Sequence, residues 1–202
     1  MRTDTIPPSN AQPIFSFANG EMGLLSNRII RSIEKLTGQP RIRNLYLEYL
    51  NDDLPPKNFW SDALKRLDIT INLTRDITDG VAATIPTTGR VLAISNHPYG
   101  VIDGLALCAS MADVRDDYKI ITHRVLRQAP AVMDKILPID FDETEAALLN
   151  NLKTRADAKK HLKNGGAIII FPAGAISLAS NFFGNAEDSE WKTFAAKLAQ
   201  LP

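Results

Sequence analysis

Arg90-Val91-Leu92-Ala93-Ile94-Ser95-Asn96-His97-Pro98-Tyr99-Gly100-Val101-Ile102-Asp103-Gly104 is the stretch that decides the fold of this chain. Its first five residues form a short apolar run suited to a strand. Leu105-Ala106-Leu107-Cys108-Ala109, just beyond it, continues as helix. Pro98, Gly100 and Gly104 shape the turn between them. His97 and Asp103 therefore stand where a strand hands over to a helix, and such loops often carry chemistry.

In one continuous helix His97 and Asp103 would lie about 240° apart around the axis and would not meet. Pro98 and Gly100 oppose such a helix, so a turn brings Asp103, in the first turn of the next helix, back toward the imidazole. A carboxylate there holds one ring nitrogen as a donor and leaves the other to remove a proton. It also stabilises the imidazolium that results, without any serine nucleophile. The same pair equally fits a structural loop histidine and a carboxylate favoured by the helix dipole. Taken alone, it leaves both readings open.

A second stretch repeats the design. Ala167-Ile168-Ile169-Ile170-Phe171 is a buried-strand run, followed by Pro172-Ala173-Gly174-Ala175-Ile176-Ser177. Two such turns at one end of a parallel sheet border the crevice in which ligands usually bind. The backbone donors of Gly174 to Ser177 are candidates to face an anion or a developing oxyanion.

Around these stretches the expected strands are Arg90–Ile94, Lys119–Thr122, Ile136–Ile139 and Ala167–Phe171, with a further alternating run at Ile69–Leu73. Helices are expected over Ile102–Met111 and Thr144–Lys163, the latter closed by Gly165-Gly166. Strands alternating with helices predict an α/β fold with a mixed, largely parallel sheet flanked by helices. Asp79-Gly80 and Thr87-Thr88-Gly89 mark turns. A helix is expected over Phe59–Leu67 and another over Trp191–Leu198. Upstream, residues 1–13 read as a disordered lead and 14–56 as an amphipathic helical segment, with helices over Gly23–Leu36 and from Ile42 to Leu50. The core then spans 57–202. Arg28, Arg31, Lys35, Arg41 and Arg43, against Glu34 alone, suit either an anionic membrane surface or an ordinary solvated face.

Composition narrows the functions open to the chain. Its 202 residues carry 23 basic and 23 acidic side chains, so there is no bulk signal for nucleic acid as partner. The single Cys108 excludes an intrachain disulfide and a Cys-rich zinc site, and reads as a small core residue. No metal is expected. Met1 to Gln12 is polar and Pro-containing, unlike a signal peptide. No apolar run reaches the roughly 20 residues of a spanning helix. A cytoplasmic protein, or one held at the cytoplasmic face of the inner membrane, is expected. His161, beside Lys159, Lys160 and Lys163, reads as part of a solvated face. Trp60, Trp191, Phe182 and Phe183 read as core or interface aromatics.

Together, in order and spacing, the two turns resemble those of the glycerolipid (lysophospholipid) acyltransferase family, whose best known members acylate lysophosphatidic acid. The family motif is Asn-His, four residues, then Asp. Five intervene here, as in a haemolysin-like bacterial branch carrying Asn-His-Pro-x-Gly-x-x-Asp-Gly, which Asn96, His97, Pro98, Gly100, Asp103 and Gly104 match. Of the later motif Phe-Pro-Glu-Gly-Thr-Arg-Ser, the chain keeps Phe171, Pro172, Gly174 and Ser177, with Ala173 for Glu and Ile176 for Arg. Ile121 to Pro130 resembles the middle block, Leu137-Pro138-Ile139-Asp140 the next, and Phe141 replaces its Arg. The resemblance covers about residues 14–202.

This resemblance implies a glycerolipid acyltransferase-like fold and an O-acyltransferase of phospholipid metabolism, similar to the 1-acylglycerol-3-phosphate enzymes. His97 would be general base, oriented by Asp103. An acceptor hydroxyl would attack the thioester of acyl-coenzyme A or of an acyl-carrier protein, with no bound cofactor and no acyl-enzyme. Asn96, Tyr99, Gly100, Phe171, Pro172, Ala173, Gly174 and Ser177 would border the substrate, with His123, Arg124 and Arg127 as the remaining cationic candidates. The departures point to a lysolipid without the usual glycerophosphate head group, such as a lyso-aminolipid, or to a non-catalytic lipid-binding protein of the same fold. A hydrolase is disfavoured by the lack of a serine elbow. Family members continue further, which implies a short form or a chain that ends early.

Overall fold

The computed structural model of the protein describes residues 39–52, 59–72, 77–78, 81–82, 85–179 and 184–202. The chain divides into Met1–Asp52 and Asp53–Pro202. In the first unit, helix α1 spans Gln39–Asn51, with Pro40 in its first turn, where proline costs no helical hydrogen bond. The Tyr46 and Tyr49 rings stack along it with centroids 6.4 Å apart. The expected lead over 1–13 and helix over Gly23–Leu36 lie outside the described residues.

The second unit is built on a four-stranded parallel sheet, so the α/β character holds. It opens with α2 (Phe59–Arg66) and a two-residue antiparallel ladder, β1 (Ile77–Thr78) with β2 (Val81–Ala82). Strand β3 (Val91–Ile94) leads through α3 (Val101–Ala112) to β4 (Tyr118–His123). Two 3-10 turns, Arg124–Gln128 and Pro130–Lys135, join β4 to β5 (Ile136–Ile139). Helix α4 (Glu145–Lys163) returns to β6 (Ala167–Ile170), which inserts between β3 and β4. A ribbon of β7 (Leu178–Ala179) with β8 (Ala186–Glu187) and helix α5 (Phe194–Ala199) complete the chain.

All four residues of β6 are buried, as a strand covered on both faces requires. Ile168 and Ile170 join Ile121, Leu137, Ala158, Leu162, Ala195 and Leu198 under α4 and α5. The opposite face meets α3, where a β-carbon at Gly104 would lie 4.0 Å from Ile120 Cδ1. Cys108 is fully buried, and that burial pushes its thiol up, out of reach of ionisation.

Helix ends follow their sequence signals. Thr144 Oγ1 accepts the Ala147 N–H at 3.1 Å, capping α4. Gly165, at φ +87°, ends it with paired bonds from Gly165 N to Leu162 O and from Gly166 N to His161 O.

Three expectations are corrected. Ile69 to Asn72 are not in a strand, because the chain leaves α2 through Asp68 at φ +56° and Ile69 N bonds back to Leu64 O. The last helix begins at Phe194 rather than Trp191, since Lys192 N is engaged by Pro172 O. His161 is not merely solvated. Its Nε2 bonds Asp117 O at 2.7 Å, and its ring occupies the space beside Gly166, where a β-carbon would fall 2.3 Å from Nε2.

Candidate active site

Strands β3 and β6 run parallel with Ile94 opposite Ile170, so Ser95 and Phe171 leave the sheet side by side. The two turns are then joined directly, Ser177 N–H donating to His97 O at 2.9 Å.

Six positions of separation are closed by Gly100. Its φ of 60° and ψ of −120° lie in a region open essentially to glycine, and they start α3 with Asp103 in its first turn. A β-carbon there would also meet Ile176 Cδ1 at 3.0 Å. Asp103 Oδ2 consequently stands 3.1 Å from His97 Nδ1 and accepts the Tyr99 N–H at 2.8 Å. An ionised carboxylate only accepts, so in the neutral imidazole it selects the tautomer with the proton on Nδ1 and the lone pair on Nε2. Phe171 stacks on the imidazole, centroids 4.0 Å apart at 22°, and fixes its plane. The expected His–Asp pair is therefore assembled, with the partner nitrogen fitted to accept a proton.

Asp188 belongs to this arrangement and was not foreseen. Its Oδ1 accepts His97 N–H at 3.1 Å and the Ser177 hydroxyl, while Oδ2 accepts the Trp191 indole at 2.8 Å. In sequence it sits in Glu187-Asp188-Ser189-Glu190, which reads as a solvated acidic loop. Trp191 is half exposed beside it rather than in the core, because its indole serves Asp188. Phe182 and Phe183 lie outside the described residues.

The second turn differs from the anion cradle expected of Gly174 to Ser177. Gly174 N–H is taken by Phe171 O at 3.0 Å and Ser177 N–H by His97 O, leaving Ala175 and Ile176 N–H without bonds among the described residues. Pro172 and Ala173 are buried beneath the turn. Asn96 is exposed, its Oδ1 accepting from Ser95 Oγ at 3.3 Å. Tyr99 is 73 % exposed, and Val101, Ile176 and Leu178 are exposed on the same two turns.

The middle block lies at the same carboxyl end of the sheet, with β6 between it and β3. His123 Nδ1 accepts the Val125 N–H at 3.1 Å, and its ring stacks on Phe141 at 5.6 Å. Burial, and then the Arg124 charge, hold His123 below the ordinary histidine range, which keeps it neutral for that bond. Arg124 is not an open cation: its Nε pairs with Asp140 at 3.1 Å and its guanidinium end with Asp142 at 2.9 Å. Arg127 is exposed and has no acidic partner among the described residues.

Comparison with protein-family models, with curated proteins and with solved structures finds no match to the chain.

Proposed function

We propose that the protein is an O-acyltransferase that moves a fatty acyl group from a coenzyme A or acyl-carrier-protein thioester to the hydroxyl of a lysolipid at a membrane surface. The observation that carries this reading is the 3.1 Å contact of His97 Nδ1 with Asp103, with Phe171 holding the ring. It leaves Nε2 to take the acceptor's hydroxyl proton. The alkoxide attacks the thioester carbon, the carbon–sulfur bond breaks, and the imidazolium returns the proton to the departing thiolate. A positioned base of this kind contributes about 10²–10⁴-fold. The Ala175 and Ile176 N–H groups are the available donors for the oxyanion.

The exposed apolar side chains of Tyr99, Val101, Ile176 and Leu178, on or next to the two turns, suit a lipid substrate. The same rim suits the second reading, a lipid-binding protein without turnover. Among the described residues no helix is long and apolar enough to cross a membrane. A peripheral position at the cytoplasmic face of the membrane is part of this proposal and follows from the lysolipid acceptor it assigns. The resemblance of the two turns to the glycerolipid acyltransferases supports the same assignment and extends it to the fold.

The test is an acceptor panel of lysophosphatidate, lysophospholipids and a lyso-aminolipid with both donors, read by lipid mass spectrometry. Acyl transfer that requires a lysolipid supports the proposal. Lipid binding without product favours the second reading, and thioester loss without acceptor indicates a hydrolase.

A further inference from the structure

The second turn lacks the acidic and basic residues of the resembled motif at Ala173 and Ile176, Phe141 after β5 replaces another Arg, and Arg124 is occupied by Asp140 and Asp142. One cation nevertheless stands over the second turn. Lys192 is exposed, and its backbone N–H donates to Pro172 O at 3.0 Å. A β-carbon at position 174 would lie 2.9 Å from its Nζ, so the ammonium takes the place of a side chain that Gly174 does not have. Gly174 sits at φ +73°, and glycine there serves both the backbone and the ammonium. The Nζ also lies 5.9 Å from the centre of the Phe141 ring, within reach of a cation–π attraction.

Lys192 differs from a freely waving surface lysine. Its own amide is anchored to the turn, and the preceding Trp191 is tied through Asp188 to the His97 amide. No acidic side chain pairs with it among the described residues. A strongly hydrated point charge held beside a site and left unpaired is an anion-binding group.

We propose that Lys192 recognises a phosphate group of the substrate, its ammonium receiving a phosphate oxygen above the Phe171–Gly174 turn. The inference rests on the acyl-transfer reading for the molecule that brings the phosphate: either a lysophosphatidate head group or the phosphates of the thioester donor.

Binding without turnover tests it. Calorimetry on the full chain would use coenzyme A, lysophosphatidate in neutral detergent, and monoacylglycerol in the same detergent. Lys192→Met should weaken one phosphate ligand by about tenfold or more. Lys192→Arg should restore much of that loss, with monoacylglycerol unchanged, and the ligand that responds identifies the source. Lys192→Gln is the second variant should Lys192→Met not fold. These affinities are read without turnover, so failure of the general-base assignment does not register here. Unchanged affinity of the Lys192 variants for both phosphate ligands overturns the proposal, as does failure of the wild-type chain to bind either.

Discussion

The carboxylate of Asp188 stands 3.1 Å from the backbone nitrogen of His97, 91 residues earlier in the chain, and accepts its N–H. With the Ser177 hydroxyl and the Trp191 indole on the same carboxylate, one side chain ties together the end of β3, the turn after β6 and the segment leading to Lys192. Those donors, Ser177 foremost, hold Asp188 below the usual carboxylate range.

Asp188→Ala releases the His97 amide without touching Asp103. A misplacement of about 1 Å in the base is expected to lower kcat roughly 10²-fold. Asp188→Asn, which still accepts from the His97 amide, should fall between. Steady-state kinetics checks this, and an unchanged kcat in Asp188→Ala would remove Asp188 from the positioning of His97.

Acid should weaken the fold in two stages. His123 is held neutral, so its contribution is complete above its ordinary value of 6.5 and is lost as pH falls through its lower folded value. Asp188 is held ionised, so its contribution is complete above 3.8 and is lost as pH falls through a value below that. Asp117, lowered chiefly by its hydrogen bond from Arg115, adds to the second stage. In urea unfolding across pH, His123→Asn should abolish its share of the first stage while keeping the cap to Val125. Asp188→Asn should shrink the second stage.

Gly100→Ala must adopt φ near 60° with ψ near −120° and press a methyl onto Ile176 at 3.0 Å. A cost of about 2–3 kcal/mol is expected from the backbone alone. Ile176→Val in the Gly100→Ala background should recover only the steric part. Denaturant midpoints for the two single variants and the double variant measure both parts.

At the opposite end of the sheet, Arg115 is buried with its guanidinium bonded to Asp117 at 2.6 and 2.7 Å, to Pro86 O at 3.0 Å and to Gly165 O at 2.9 Å. Arg115→Ala strands two carbonyls and leaves Asp117, whose carboxylate is half exposed, to water. A loss of about 2–4 kcal/mol in unfolding free energy is expected. Because the site lies at the carboxyl ends of the strands, kcat should hold under conditions where the variant remains folded.

The strands and helices of the sheet were legible because their signals are local. Ala167 to Ile170 is apolar throughout, and Thr144 and Gly165 carry their own end signals. The His97–Asp103 pair was legible for the same reason, since Pro98 and Gly100 show that the intervening chain turns. Ile69 to Asn72 alternate like a strand, but the positive φ of Asp68 and the bond from Ile69 to Leu64 direct that segment elsewhere. Asp188 and Lys192 were hidden because their roles depend on a hairpin return that no residue near them encodes. Arg124 looked available because Asp140 and Asp142 meet it only across the β4–β5 connection.

The most direct measurement compares acyl transfer from a thioester to a lysolipid by the wild-type chain, His97→Ala and Asp103→Asn, with folding checked by circular dichroism. Product should form with the wild type, vanish with His97→Ala and fall about 10²–10⁴-fold with Asp103→Asn. Transfer at the wild-type rate by folded His97→Ala would contradict the assignment of His97 as the base.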